Sequence, residues 1–106
     1  MRLLSRSEEI VLVAIWRLKD NAYGVSIRDL VSTLTGHEWT LGAVYVPLDK
    51  LTGKAFVYKN LSNPTAQRGG RSKCMYTLTE EGGQALHEIR QVQKALYHGI
   101  PDIAFK

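Results

Sequence analysis

The chain of 106 residues has one cysteine, three prolines and no long apolar run. A single thiol cannot form an intramolecular disulfide, and the three histidines stand apart from it without metal-ligand spacing. The longest apolar stretch, Ile10 to Trp16, is far too short to span a membrane. The sequence also lacks a nucleophile with a base partner, paired carboxylates and a phosphate-cradling glycine loop. We therefore expect no enzyme, no metal, no cofactor and no membrane protein.

Acidic residues are missing from one particular stretch. Between Asp49 and Glu80 the chain has six basic residues and no acid. They are Lys50, Lys54, Lys59, Arg68, Arg71 and Lys73. A surface that only keeps a protein soluble intersperses both signs of charge. The stretch therefore predicts contact with the phosphates of a nucleic acid, and a solvated basic surface is the alternative.

Apolar periodicity predicts three helices before this stretch. Ser5 and Glu8 have capping-box spacing for the first helix, which is apolar nearly all round and so predicted to be buried on two faces. The inward side of the second helix is predicted to be Ile27, Leu30, Val31 and Leu34. Thr40 is predicted to cap the third helix. Its inward side is predicted to be Leu41, Val44, Leu48 and Leu51.

Two strands, at 55–61 and 72–78, are predicted to form a hairpin. Strand alternation puts Cys74, Tyr76 and Leu78 on its inner face, with Cys74 acting as a small hydrophobic side chain. Thr79 then caps a helix that runs from Glu80 to about His98. At roughly 28 Å this helix is longer than a small core needs, so a dimer interface is predicted, and a lid on its own domain is the alternative.

The predicted fold class is α+β, mainly α: a winged helix-turn-helix with a long C-terminal dimerisation helix. Residues 1–79 are predicted to form the DNA-binding domain. Residues 80–106 are predicted to form the dimerisation helix and a short tail.

The predicted DNA contacts come from the third helix and the hairpin. They are Thr40, Gly42, Ala43, Tyr45, Lys50, Lys59, Arg68, Gly70, Arg71 and Lys73. Lys50 is the one obvious major-groove donor of the helix, while Thr40 and Tyr45 suit phosphates and Ala43 or Val46 suit a thymine methyl group. For Tyr45, packing against the core or the hairpin is the alternative.

The predicted dimer interface joins the first helix to the last. Its residues are Leu12, Trp16, Leu86, Ile89, Val92, Leu96 and Tyr97. Burial of such side chains contributes roughly 1.5 to 3 kcal/mol each before the cost of association. Trp16 and Trp39 are predicted to be structural.

Three segments resemble the PadR family of bacterial winged-helix regulators. They are YGVSI at 23–27, LGAVYVPLDKL at 41–51 and GRSKCMYTLTEEG at 70–82. The resemblance implies a cytoplasmic homodimer, in which the C-terminal helix packs with the partner's first helix, and repression of a promoter. Some relatives bind flat aromatic ligands between their subunits, so the resemblance implies a pocket for such a ligand as the alternative role of Trp16 and Trp39.

The sequence departs from the family pattern at three places. Val46 separates Tyr45 from Pro47, Ala55 replaces a glycine before the first strand, and Ser72 replaces a proline. The sequence runs to Lys106 without a second C-terminal domain, which resembles the short subgroup.

The expected function is that of a homodimeric, sequence-specific DNA-binding repressor. A winged-helix module that binds another protein, with its basic hairpin against an acidic partner, is the alternative.

Overall fold

The structure is a computed structural model, and it describes residues 4–61 and 73–101. Within these ranges the chain forms four α-helices and one antiparallel hairpin. The helices are α1 (Arg6–Leu18), α2 (Gly24–Thr35), α3 (Leu41–Gly53) and α4 (Glu80–Tyr97). The strands are β1 (Val57–Leu61) and β2 (Cys74–Leu78), and a 3-10 turn at Lys19–Asn21 links α1 to α2. The predicted class, α+β and mainly α with a hairpin and a long C-terminal helix, is confirmed.

The capping box predicted for α1 is present. The Glu8 amide donates to Ser5 Oγ at 3.2 Å, and the Ser5 amide donates to Glu8 Oε1 at 2.8 Å. The fully buried side of the helix consists of Val11, Leu12, Ala14 and Ile15. Leu12 therefore exposes no surface that a partner could contact, and its prediction as an interface residue is wrong.

The helix α2 is capped by Gly36, the residue after its last turn, whose φ of 73° lies in the left-handed region that favours glycine. Ile27 and Val31 are fully buried as predicted, but Leu34 is 48% exposed. Leu34 lies on the same side of the helix as Ile27 but in the last turn, where α2 extends past the core. Its inward assignment is wrong for that reason.

The helix α3 begins at the predicted cap, where the Ala43 amide donates to Thr40 Oγ1 at 3.1 Å. Val44, Leu48 and Leu51 are fully buried, whereas Leu41 at the first position is 36% exposed. The first three form the helix's contribution to the core.

A left-handed residue separates α3 from β1. Ala55 has a φ of 63°, and the next amide, that of Phe56, donates to the Leu51 carbonyl at 3.0 Å. This turn uses residues that the sequence pattern assigned to the strand. The strand β1 consequently begins at Val57.

The hairpin is joined to the helices along its second strand. Tyr23 forms an isolated antiparallel bridge with Met75, and the Tyr76 amide donates to the Ala22 carbonyl at 2.8 Å. The other edge of β2 pairs with β1, so that β2 lies between two partners. This arrangement fixes the base of the hairpin beside the helix-turn-helix.

The helix α4 packs on the core by its first half. Thr79 Oγ1 accepts from the Gly82 amide at 3.0 Å and donates to the Ala55 carbonyl at 2.7 Å. A Cβ at Gly82 would collide with the Phe56 carbonyl oxygen, so glycine is needed there. The helix ends at Tyr97, one residue before the predicted end, and residues 94–97 are exposed. No helix of the described ranges is long and apolar enough to cross a membrane.

Candidate nucleic-acid interface

The outward side of α3 is the centre of the candidate interface. Positions four, seven, eight and eleven residues apart along a helix lie on one side of it. This side consists of Gly42, Val46, Asp49, Lys50 and Gly53, and all five are exposed. Ala43, which was also predicted to contact DNA, is exposed beside them. The helix thus presents a continuous strip of surface to solvent, as a recognition helix requires.

Tyr45 lies at the edge of this strip and packs against α2. A side chain at Gly24 would collide with its phenol, with Cζ only 2.9 Å from the added Cβ. Gly24 therefore allows the Tyr45 ring to lie against the first turn of α2, while 39% of the residue stays exposed. Tyr45 thus combines a packing contact with an exposed surface beside α3.

Buried Tyr76 shows which side of the hairpin faces α3. Burial raises the pKa of the Tyr76 phenol well above its ordinary value, and a hydrogen bond with the Cys74 side chain acts in the same direction. The negative charge of Asp49, and that of Tyr45 when its phenol is ionised, also raise this pKa, so both residues lie near Tyr76. The inner face of the hairpin, with Cys74 and Tyr76, therefore adjoins α3.

The two hairpin lysines lie on opposite faces. Lys59 pairs with Tyr76, and residues paired across a sheet share a face, so exposed Lys59 is on the α3 side. Lys73 has the opposite parity, and its Nζ lies 4.3 Å from the centroid of the Tyr23 ring. Lys59 and Lys73 therefore lie on different faces of the hairpin, and their contacts with DNA stay predictions. Arg68, Gly70 and Arg71 lie outside the described residues.

Lys54 is engaged inside the protein. Its Nζ donates to Glu8 Oε2 at 2.7 Å, and Glu8 is only 4% exposed. Burial alone would raise the pKa of Glu8, but hydrogen bonds from Lys54 and Ser5 outweigh burial and lower it below its ordinary value. This lysine neutralises a buried carboxylate. Within the described part of the basic stretch, the exposed positive charge of the α3 side therefore comes from Lys50 and Lys59.

A second surface lies between α1 and α4. It is an open groove of about 530 Å³. Its apolar lining consists of Val13, Trp16, Leu78, Leu86 and Ile89. At one end of the groove the side-chain Nε2 of Gln93 donates to Glu9 Oε2 at 2.8 Å, and this hydrogen bond holds α4 to α1.

The residues predicted for dimerisation fall into two groups on this side. Trp16, Leu86 and Ile89 line the groove, whereas Leu96 and Tyr97 lie at the end of α4 and are 65% and 63% exposed. Val92, between the two groups in sequence, is partly buried. Val13 takes the place predicted for Leu12.

The two tryptophans do not share a pocket. The Trp39 indole N–H donates to Thr35 Oγ1 at 3.0 Å, and its amide donates to Ser32 Oγ at 3.0 Å. Trp39 therefore joins the end of α2 to the start of α3, as a structural residue. Trp16 is 54% exposed, with Lys19 Nζ 4.3 Å from its ring centroid.

Three site residues escaped the sequence prediction. Val13 is three residues before Trp16 and Leu12 is four before it, so helix spacing placed both on the Trp16 side and could not tell which of them lines the groove. Gly24 was noted only as part of the segment at 23–27, and its contact with Tyr45 joins residues distant in sequence. Glu8 was assigned to a cap alone, and nothing in the sequence pairs it with Lys54.

No protein-family model and no curated protein matches the sequence. Solved structures do match. RosR of H. salinarum, in a complex named RosR-S4, is 24% identical with a TM-score of 0.72, and the match covers 95% of this chain and 80% of that one. A PadR family transcription regulator from Clostridium difficile R20291 is 28% identical with a TM-score of 0.62, covering 84% and 88%. A PadR-like transcription factor from Bacteroides fragilis is 19% identical with a TM-score of 0.69, covering 90% and 89%.

These similarities identify the fold. The chain is a winged-helix protein, in which α2 and α3 form the helix-turn-helix and β1 and β2 the base of the wing. Among winged-helix proteins it is PadR-like, as the three sequence segments predicted.

Proposed function

We propose that this chain is a PadR-like transcription regulator that binds specific DNA sites as a homodimer. The helix α3 enters the major groove, and the hairpin follows the adjacent backbone. The observation that carries the proposal is the exposed strip of α3 together with Lys59, which is exposed on the face of the hairpin that adjoins α3. The strip can contact base edges while Lys59 contacts phosphate.

Charge supports DNA as the partner. The chain has a formal net charge of +4, and both Lys50 and Lys59 are exposed on the α3 side. A cationic surface raises the rate of encounter with DNA and supplies affinity by releasing counterions. Asp49 lies on the same strip, and its negative charge repels any phosphate close to it. This repulsion, together with the attraction of the lysines, restricts where the helix can lie along the DNA.

The apolar groove and the end of α4 support the homodimer. The groove is lined by Trp16, Leu86 and Ile89, and Leu96 and Tyr97 extend beyond the core on the same helix. A second copy that packs its α4 here covers both apolar regions at once. A two-fold dimer then offers two copies of α3 to half-sites about 34–36 Å apart, one turn of the duplex.

Repression follows from occupancy. A dimer bound at a promoter excludes the transcription machinery without any catalytic step, so the chain acts as a repressor. We place this action in the cytoplasm. A flat aromatic ligand held in the groove by Trp16 would be the inducer, because it would change the packing of α1 against α4.

The experiment that tests the proposal is selection of genomic fragments. The purified chain is mixed with sheared DNA from its source genome, and the bound fragments are sequenced. We expect a short inverted repeat to be enriched, with the chain's own upstream region among the fragments. Recovery of random sequence alone would contradict the proposal and favour a protein-binding module.

A further inference from the structure

The α3 strip contains one apolar side chain, that of Val46, and two glycines, Gly42 and Gly53. At 100° per residue, Val46 lies opposite the buried line of Val44 and Leu48. Val46 is 58% exposed, and its nearest neighbours along the strip are Gly42, one turn before it, and Asp49 and Lys50, one turn after it. It is the most exposed large apolar side chain of the helix, since Tyr45 is 39% and Leu41 36% exposed.

The two glycines of the strip, Gly42 one turn and Gly53 two turns from Val46, are not needed by the fold. A Cβ at Gly42 would meet only Thr40 Oγ1, at 3.9 Å, and one at Gly53 would meet nothing within 4 Å. Both residues also have φ values outside the left-handed region, since Gly36 and Gly99 are the positive-φ glycines of the described residues. Internal packing thus gives no reason for the missing side chains, whereas close approach of another molecule does.

The chemistry of the strip selects what it can recognise. Guanine is usually recognised by arginine or lysine, and adenine by asparagine or glutamine. The helix α3 contains no arginine, asparagine or glutamine, and its one lysine, Lys50, lies one turn beyond Val46. Thymine is the base that presents an apolar group in the major groove, its C5 methyl.

We propose that Val46 determines sequence specificity by packing its isopropyl group against a thymine methyl in each half-site. The inference rests on the proposed function, because it assumes that α3 enters the major groove. Gly42 lets the base edge approach the helix beside Val46. Asp49 lies towards Tyr76 and the hairpin, and Lys50 lies on the other side of the strip, so neither covers Val46.

The test removes the methyl group from the DNA and from the protein in turn. A site selected by the wild-type chain is synthesised with each thymine replaced singly by deoxyuridine, which lacks only the C5 methyl. We expect one position in each half-site at which this replacement weakens wild-type binding by about fourfold, the value of one buried methyl group. For Val46→Ala the same replacement should have almost no effect, because the contact is already lost.

Two further variants complete the test. Val46→Thr keeps the shape of the side chain and should retain part of the methyl sensitivity, which guards against a folding defect in the alanine variant. Leu34→Ala truncates another exposed aliphatic side chain, on α2, and should retain all of it.

The outcomes separate the two proposals. A selected site whose thymines are all insensitive to the loss of the methyl would overturn the role of Val46 and leave the DNA-binding function intact. An equal sensitivity in wild type and Val46→Ala would do the same. Failure to select any site would overturn both.

Discussion

Lys54 Nζ lies 2.7 Å from Glu8 Oε2, so the first turn of α1 is tied to the residue that follows the last turn of α3. Glu8 is buried, while the Lys54 side chain is 33% exposed. The ion pair therefore joins the helix that lines the proposed dimer groove to the helix that carries the proposed DNA surface. It holds these two surfaces in one relative orientation.

Removal of Lys54 should destabilise the fold strongly. Lys54→Met keeps the aliphatic stem but leaves the Glu8 carboxylate buried without its partner, at a cost of about 3 kcal/mol in the free energy of unfolding. Arg28→Ala is the matched control, because the Arg28–Asp29 pair at 3.0 Å is much more exposed and should contribute less than about 1 kcal/mol. Urea denaturation measures both, and equal losses would contradict the structural role of the pair.

The same pair predicts how stability depends on pH. The pKa of Glu8 is lowered in the folded state from an ordinary value of 4.5. Its contribution is therefore complete above that value and is lost as the pH falls through the lowered pKa. Glu8→Gln should flatten this part of the stability curve. An unchanged acid limb in the variant would show that other carboxylates cause it.

Replacement of Ala55 by glycine should stabilise the fold. Its φ of 63° is costly for a residue with a Cβ, so Ala55→Gly should raise the free energy of unfolding by about 0.5–1 kcal/mol. Ala95→Gly makes the same chemical change at an exposed position inside α4 and should lower it by about 1 kcal/mol. Thermal unfolding distinguishes the two signs, and a loss in both variants would contradict the assigned turn.

The end of α4 should control association. Leu96→Asp places a charge in the proposed interface and forfeits roughly 1.5–3 kcal/mol of apolar burial, which raises the dimer dissociation constant by at least about tenfold. Gln91→Asp, an exposed position on another side of α4, should leave it nearly unchanged. Sedimentation velocity over a concentration series measures the constant. A wild-type chain that stays monomeric would contradict the interface.

The two exposed lysines should have different roles in DNA binding. Lys59→Ala should weaken binding to all sequences about equally and, because the dimer loses two phosphate contacts, reduce the size of the log–log salt slope by about 2, whereas Lys50→Ala should chiefly relax sequence preference. With four phosphate contacts in each subunit, the wild-type slope should be about −7. Lys94→Ala, an exposed cation on α4, is the control. Exchanged effects of Lys50 and Lys59 would refute these roles.

Local signals predicted the element order because each depends on residues close in sequence. Ser5 with Glu8, Thr40 and Thr79 all cap helices as predicted, and Tyr76 lies on the inner face of the hairpin. Such pairs are fixed by helix and strand geometry. They need no knowledge of tertiary packing.

The errors concern tertiary relationships. In an apolar first helix, periodicity could not decide whether Leu12 or Val13 faces outward. That Lys59 shares the inner face of the hairpin is seen only in the strand register, which pairs it with Tyr76. The Glu8–Lys54 pair joins residues 46 positions apart, beyond the reach of any local pattern.

The most direct test of DNA recognition is the ratio of two affinities at one salt concentration. Fluorescence anisotropy would give the dissociation constant for a selected inverted repeat and for a shuffled duplex of the same composition. A specific regulator should bind the repeat at least about 10³-fold more tightly. A ratio near one, with both affinities falling together as salt rises, would contradict sequence-specific regulation by this chain.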